Sequence, residues 1–215
     1  MQDSWAKSVG LQRRTLLGSA GALLAAGASG WTGMAQASEW PSRPVNLIVP
    51  FPAGGGTDTF ARPFSAQFAK TSGKTLVIDN RGGAGGTLGA SIAAKAAPDG
   101  YNFFMGGTHH VIAPSVYPKL EYDLERDFIP LALLASVPQV VVVNPKKVTH
   151  ASLQALVQDL RANPGKYNYA SAGPGSSHHL AGELFKLQTK TQITHIPYKG
   201  AGPALQDLIG WQVDM

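Results

Sequence analysis

The stretch V-N-L-I-V-P-F-P-A-G-G-G-T-D-T-F-A-R-P-F, residues 45–64, decides the fold of this chain. Its first five residues predict a short buried strand, and the residues after the glycines predict a helix that runs to about Thr71. The glycines at 54–56 leave the turn without side chains, so its backbone N–H groups can approach a ligand closely. Thr57 or Asp58 is expected to cap the helix. A strand, a glycine turn and a helix N-terminus in this order are typical of an anion site.

Strand, small-residue turn and helix recur along the chain. Further strands are predicted over 76–79, 102–105, 139–143, 167–170 and 193–197, and helices over 87–97, 152–161, 178–188 and 200–209. Thr149 or Ser152 is expected to start the helix at 152. Residues 117–126 are expected to be irregular, and residues 212–215 to begin another strand. This alternation predicts an α/β fold with a parallel sheet.

The first 37 residues predict a secretory signal. Arg13 and Arg14 form a twin-arginine pattern, a mildly apolar run follows over 16–30, and Ala35-Gln36-Ala37 fits the small-x-small rule for cleavage. The alternative is a transmembrane helix, which needs about 20 strongly apolar residues, more than this run offers. We therefore expect cleavage near Ala37 and a periplasmic mature chain that is not inserted in a membrane.

The composition excludes several classes of function. The chain has 18 Lys and Arg against 13 Asp and Glu, and no basic run interleaves with aromatic residues, so nucleic acid is not an expected partner. The small positive excess suits an acidic small molecule. The chain has no cysteine, which excludes disulfides and thiolate metal sites.

The glycine-rich turns do not match nucleotide-binding motifs. No Gly-Lys-Thr or Gly-Lys-Ser follows residues 54–56, so the first turn is not a Walker A loop. The run at 82–86 follows the second strand and lacks an acidic partner at the required spacing, which argues against a dinucleotide fingerprint. No cofactor is therefore predicted.

The histidine pairs His109-His110 and His178-His179 suggest a metal site at first sight. Adjacent residues point to different faces of a helix or strand, and no carboxylate stands at a H-E-x-x-H spacing, so no metal is predicted. The simpler use is that one histidine of each pair hydrogen-bonds its own loop.

An enzyme remains an open alternative at this point. Ser176 and His179 would supply a nucleophile and a base, but the turn is not G-x-S-x-G and no orienting acid is evident. Lys199 stands between a strand and a helix. It either neutralises an acidic ligand or is simply solvated, and the sequence does not separate the two.

Six motifs then occur in one order along the chain. They are P-F-P-A-G-G-G-T-D at 50–58, D-N-R-G-G-A-G-G at 79–86, A-A-P-D-G-Y at 96–101, D-F-I-P-L at 127–131, G-P-G-S-S-H-H-L at 173–180 and H-I-P-Y-K-G-A-G-P-A-L-Q-D-L at 195–208. Together they resemble the Bug (Bordetella uptake gene) family, the TctC-type extracytoplasmic solute receptors of tripartite tricarboxylate transporters. The resemblance covers residues 40–215. It implies a type II periplasmic-binding-protein-like fold, in which two α/β domains close on a ligand in the cleft between them.

The resemblance also implies how a ligand is bound. A carboxylate would be held by main-chain N–H groups, hydroxyls and ordered water, with few or no charged side chains. Such a hydrogen bond contributes about 1.5–3 kcal/mol and a micromolar ligand needs about 8 kcal/mol, so a handful suffices. Asp58 is expected to cap the helix or fix its loop rather than to touch an anion. The implied ligand-binding residues are Phe51, Ala53, Gly54, Thr57, Asp58, Asn80, Ala84, Gly85, Gly107, Thr108, Ser171, Gly175, Ser176, His179, Tyr198 and Lys199.

The implied organisation is a signal peptide over 1–37, a first domain over 38–136 and a second domain over 137–215. Because residues 212–215 stop as a strand begins, we expect a C-terminally truncated chain with an incomplete second domain. Trp211 departs from the family, which commonly has a small residue there.

The expected partners are a small organic acid and the membrane subunits of the transporter, and the expected state is a monomer. The alternatives are a hydrolase or transferase on a two-domain α/β fold, and a solute sensor that serves a signalling partner.

Overall fold

Residues 39–215 are described by a computed structural model. The expected signal peptide, with its twin-arginine pattern and cleavage site, lies outside the described residues. Residues 41–215 belong to one compact unit. Within the described range no helix is long and apolar enough to cross a membrane.

Strand β1 (Val45–Val49) is the centre of the first sheet. It pairs in parallel with β2 (Leu76–Asn80) on one side and with β3 (Asn102–Phe104) on the other, with Leu47 opposite Ile78. A central parallel strand is covered on both faces, which is why its sequence is a nearly continuous apolar run. The strands predicted in this region are confirmed to within a residue.

Helices follow the strands of the first sheet. In chain order they are α1 (Gly56–Ser72), a 3₁₀ turn (Ala84–Gly86), α2 (Thr87–Ala94), α3 (Thr108–Val116) and α4 (Leu124–Asp127). Ala61 of α1 packs with Leu47 and Met105 in the apolar core of this half. Helix α2 ends before the predicted residue 97. The expectation that 117–126 is irregular is wrong in part, because α4 begins within that range.

The second sheet repeats the same arrangement. Strand β4 (Asn168–Ser171) pairs in parallel with β5 (Thr194–Pro197), and α5 (Leu153–Ala162), α6 (Ser177–Thr189) and α7 (Ala201–Ile209) flank them in sequence. The core of this half consists of Val148, Leu156, Leu160, Tyr167, Tyr169 and Ile193. The strands predicted over 167–170 and 193–197 and the helices predicted over 152–161, 178–188 and 200–209 are confirmed with small shifts of their ends.

Two further expectations concern this second half. Ser152 caps α5, because its hydroxyl accepts the Ala155 N–H, which confirms one of the two caps considered. Residues 213–215 lie beside β4, where the Ala170 N–H donates to the Met215 carbonyl at 2.8 Å. This segment is hydrogen-bonded to the sheet but has no regular strand assignment, so the strand predicted over 212–215 is only partly confirmed.

The strand predicted over 139–143 is wrong. This segment has no regular secondary structure and no strand partner within residues 39–215. Val140, Val141 and Val142 expose 74%, 52% and 49% of their surfaces. An apolar run becomes a strand only where a neighbouring strand pairs with its backbone groups, and the described residues provide none.

Trp211 adopts a backbone conformation that favours glycine. Its φ of 65° lies in the left-handed region, which costs a residue with a side chain roughly 1–2 kcal/mol. The Lys146 ammonium lies 3.4 Å from the centre of the Trp211 ring, a cation–π contact that offsets part of this cost. Glycine would adopt this conformation without the cost.

Gly89→Ala in α2 is expected to destabilise the protein by about 1–3 kcal/mol. A methyl group at residue 89 would lie 2.7 Å from the Pro50 Cα and 2.8 Å from the Arg81 carbonyl oxygen, and neither backbone can move easily. Urea unfolding of the variant and the wild type measures the change.

Gly202→Ala in α7 is the matched control. A methyl group there meets nothing within 4 Å. Alanine is also the better helix former, so the control should gain up to about 1 kcal/mol. Equal changes in the two variants would contradict the close packing of α2 against the end of β1.

Candidate functional site

The turns that follow the strands meet over a shared cavity. The carboxyl ends of parallel strands lie at one edge of a sheet, and open α/β sheets bind ligands outside that edge. Here the turns of both sheets enclose a cavity of about 110 Å³. It is lined by Phe51, Gly83, Ala84, Gly85, Ala172, Gly173, Pro174, Tyr198 and Lys199.

The turns of the two sheets touch each other beside the cavity. A methyl group on Gly85 would lie 2.2 Å from the Pro174 carbonyl oxygen, so only glycine allows the two backbones to approach this closely. The Tyr117 hydroxyl donates to the same carbonyl at 2.6 Å. A methyl group on Gly200 would lie 3.1 Å from the Pro52 side chain. The glycine turns of both sheets therefore border one cleft.

One hydrogen bond recurs in three of these turns. A glycine N–H donates to a side chain from the first turn of the helix that follows. The pairs are Gly54 with the Asp58 carboxylate (2.9 Å), Gly107 with His110 Nδ1 (3.0 Å) and Gly175 with His179 Nδ1 (3.1 Å). These N–H groups have internal partners, so they shape the turns and are not free donors for a ligand.

The start of α1 differs from the expectation. Gly55 occupies the cap position, and no side chain makes a capping hydrogen bond there, so the predicted cap at Thr57 or Asp58 is wrong. Asp58 lies three residues beyond the cap position, and its carboxylate reaches back to the Gly54 N–H instead. The other expected role of Asp58, that it fixes the loop, is confirmed.

The Asp58 carboxylate fixes the first turn through several hydrogen bonds. Its side chain is 1% exposed and accepts hydrogen bonds from the Gly54 N–H, from Arg62 at 2.7 Å and from Asn80 at 3.1 Å. Burial acts to raise the pKa of this carboxyl, but these hydrogen bonds outweigh it and hold the pKa below its ordinary value. Asn80 also donates to the Phe51 carbonyl at 2.9 Å, which ties β2 to the cavity wall.

His110 joins two further turns. Its Nδ1 accepts the Gly107 N–H, so the proton of the neutral ring is on Nε2, which lies 3.2 Å from the Gly86 carbonyl oxygen. Burial lowers the pKa of His110. His109 beside it is also buried, and burial lowers its pKa to about 3. With His179 acting in the same way on Gly175, the expectation that one histidine of each pair bonds its own loop is confirmed.

The hypothetical Ser176–His179 pair does not form. Ser176 caps α6, and its hydroxyl accepts the backbone N–H of His179 rather than facing its ring. A different pair, Ser171 and His195, is joined at 2.7 Å. Ser171 is 1% exposed and also accepts the Gly173 N–H. This pair therefore anchors a turn and does not present a nucleophile to the cavity.

Some of the predicted site residues line the cavity and others do not. Those on its wall are Phe51, Ala84, Gly85, Tyr198 and Lys199. Those outside the lining are Ala53, Gly54, Thr57, Asp58, Asn80, Gly107, Thr108, Ser171, Gly175, Ser176 and His179. The lining residues that the sequence reasoning missed are Gly83, Ala172, Gly173 and Pro174. They belong to the same glycine-rich runs, but a run does not reveal which of its members face inward.

Lys199 gives the cavity its charge. It is the one Lys or Arg among the lining residues, and no Asp or Glu is among them. Tyr198 beside it is fixed, because its hydroxyl donates to the Asp207 carboxylate at 2.7 Å, and this bond raises the pKa of Tyr198. Within 39–215 no group of three His, Asp or Glu side chains is arranged to hold a metal ion. The lining suits a small anion.

Two parallel α/β sheets whose glycine turns meet over one cleft define a periplasmic-binding-protein-like fold of the second type. The family described as "Tripartite tricarboxylate transporter family receptor" matches residues 60–215. The chain belongs to this family, whose receptors are periplasmic solute-binding proteins.

Three similar proteins illustrate the relationship. Protein BugT of Bordetella pertussis is 41% identical over 177 residues, which are 81% of this chain and 54% of BugT. The structure of R. palustris Rpa4515 with adipate is 40% identical with a TM-score of 0.78, over 82% of this chain and 59% of that one. MatC (Rpa3494) from Rhodopseudomonas palustris with bound malate is 39% identical with a TM-score of 0.74, over 81% and 60%. The chain spans about half the length of the curated relatives it matches.

Asp58→Asn is expected to destabilise the protein at neutral pH by about 1–3 kcal/mol, because it removes charge-assisted hydrogen bonds at a buried position. The folded-state pKa of Asp58 is lowered. Its contribution is therefore complete above the unfolded-state pKa of about 3.9 and is lost as the pH falls through the folded-state pKa. Urea unfolding between about pH 7 and about pH 2 follows this loss.

The matched control is Asp99→Asn, which removes an exposed carboxylate paired with Arg43 at 2.8 Å. Exposed ion pairs contribute little, so this variant should lose less than about 1 kcal/mol. The role given to Asp58 is contradicted if its Asn variant loses as much stability on acidification as the wild type does.

Proposed function

We propose that this chain is a periplasmic receptor that captures a small organic acid for a tripartite tricarboxylate-type transporter. The observation that carries the proposal is the cleft between the two sheets, whose lining combines glycine turns with one lysine and no carboxylate. The family supports the receptor role. Adipate in one similar structure and malate in another, both carboxylates, support the class of ligand.

The ligand carboxylate lies against the lining of the cavity. Ala84 and Gly85 of the first sheet's turns, Ala172 of the second sheet's turn and Lys199 all line the cavity. In the proposed complex the three backbone N–H groups donate to the carboxylate and Lys199 balances its charge. A charge-assisted hydrogen bond contributes about 1.5–3 kcal/mol, so these groups together reach the roughly 8 kcal/mol of a micromolar complex. Of the residues implied by the resemblance, those outside the lining act by holding the turns.

The wider arrangement follows from this role. Residues 38–136 and 137–215 form the two sides of the cleft, and a signal peptide removed near Ala37 delivers the protein to the periplasm. The membrane subunits of the transporter then take over the ligand from a monomeric receptor. In this role the protein binds and hands over the ligand without a catalytic step. A sensor that serves a signalling partner would use the same cleft and differ only in the partner.

Lys199→Gln is expected to weaken binding of adipate or malate by roughly tenfold to hundredfold, the equivalent of one charge-assisted hydrogen bond. Isothermal titration calorimetry of the purified chain with each acid measures the affinities. The comparison also separates the two roles that the sequence leaves open for Lys199, ligand contact and solvated side chain.

Lys74→Gln is the matched control. It removes the same charge from an exposed lysine between α1 and β2, at the amino end of the sheet and away from the cavity. Its affinity should equal that of the wild type. A wild-type chain that binds neither these nor other small organic acids would refute the receptor proposal, and equal losses in the two variants would refute the role of Lys199.

A further inference from the structure

The two histidine pairs occupy equivalent places in the two halves of the molecule. Gly107 precedes α3 and Gly175 precedes the Ser176 cap of α6. In each half the second histidine of the pair turns back and accepts the glycine N–H on Nδ1, at 3.0 Å for His110 and 3.1 Å for His179. The same hydrogen bond therefore holds one wall of the cleft in each sheet.

These bonds act on the backbone that forms the cavity. His110 extends from Gly107 to the Gly86 carbonyl, and Gly86 is the neighbour of the lining residue Gly85. Gly175 is the neighbour of the lining residue Pro174. Gly175 has a φ of 73° and Gly85 a φ of 63°. Glycine adopts these left-handed conformations and several others with similar ease, so the glycines alone do not fix the turns. A turn of this kind presents its N–H groups in one arrangement only if something holds it.

We propose that His110 and His179 are matched positioning residues, which hold the glycine turns of the two sheets in the conformation that binds the ligand. The inference rests on the proposed function, because it assigns these residues to the same cleft. Neither residue lines the cavity, so both act on the ligand through the turns.

Each ring performs this task only while Nδ1 carries no proton, since a protonated Nδ1 would face the glycine N–H as a second donor. His110 is surrounded by the His109 ring at 3.9 Å between centroids, by Tyr122 at 6.5 Å and by Phe104 at 4.9 Å, and burial lowers its pKa.

His179 has a more polar setting. It stacks on His195 at 4.2 Å between centroids, and its Nε2 lies 4.0 Å from the Glu183 carboxylate. That carboxylate also accepts from Tyr169 and pairs with Lys186. His179 is less buried than His110, so the two rings make the same hydrogen bond in different surroundings.

The variants His110→Asn, His110→Leu, His179→Asn and His179→Leu test the proposal. Asparagine places an acceptor oxygen on the same carbon that carries Nδ1 in histidine, but it does not titrate. Leucine keeps the bulk and removes the acceptor. Titration calorimetry with adipate and with malate at neutral pH measures the affinities.

Each Leu variant should bind roughly tenfold more weakly than the wild type, because it loses the hydrogen bond that holds the turn in its binding conformation. Each Asn variant should stay within about threefold of the wild type. His150→Leu, which changes a histidine bonded to Asp159 near α5, is the control and should bind as the wild type does.

Amide hydrogen exchange without ligand provides a readout that does not depend on the proposed function. The N–H groups of Gly107 and Gly175 should be protected in the wild type and in the Asn variants, and should exchange faster in the corresponding Leu variant. Unchanged exchange in the Leu variants, or Asn variants that bind as poorly as the Leu variants, would overturn the inference. Intact protection in a chain that binds no acid would instead overturn the receptor proposal.

Discussion

The hydrogen bond from a turn glycine to a side chain in the next helix is the interaction on which the candidate site depends. A strand-to-helix junction leaves backbone N–H groups without helical partners, and a glycine there has no strong conformational preference. Asp58, His110 and His179 resolve both problems for their own turns, because each satisfies one donor and thereby selects one conformation. Since these turns follow parallel strands in both sheets, one local interaction shapes both walls of the cleft.

Two of these acceptors, Asp58 and His110, also leave the charge at the cleft favourable to an anion. An unpaired carboxylate beside the cleft would repel an acid, but the Asp58 carboxylate is paired with the Arg62 guanidinium at 2.7 Å. The imidazole of His110 stays neutral because burial opposes its protonation, so it adds no charge. Lys199 is then the charge that lines the cavity, and the field inside favours an anion.

The sequence predicts most of the fold because its signals are local. The apolar run at 45–49 and the glycines after it specify a buried strand and its turn without reference to distant residues. The features that the sequence does not predict correctly depend on contacts between residues that are far apart in the chain. Residues 139–143 are as apolar as β1 but have no strand partner within 39–215, and Tyr117 reaches Pro174 across 57 positions of chain. The glycines in the sequence predict where the site lies. The sequence does not predict that the N–H groups of Gly54, Gly107 and Gly175 bond to side chains of the following helices, which only the structure shows.

In the proposed receptor, the affinity for an acid depends on both the held turns and the one exposed lysine. One charge-assisted hydrogen bond contributes about 1.5–3 kcal/mol, well below the roughly 8 kcal/mol of a micromolar complex, so Lys199 by itself would hold an acid weakly. Turns that are held before the ligand arrives do not have to be ordered on binding, so fewer contacts suffice for specific binding. The affinity of such a site depends on how firmly the turns are held. Substitution of a positioning residue can therefore change the affinity even though the residues that line the cavity stay the same.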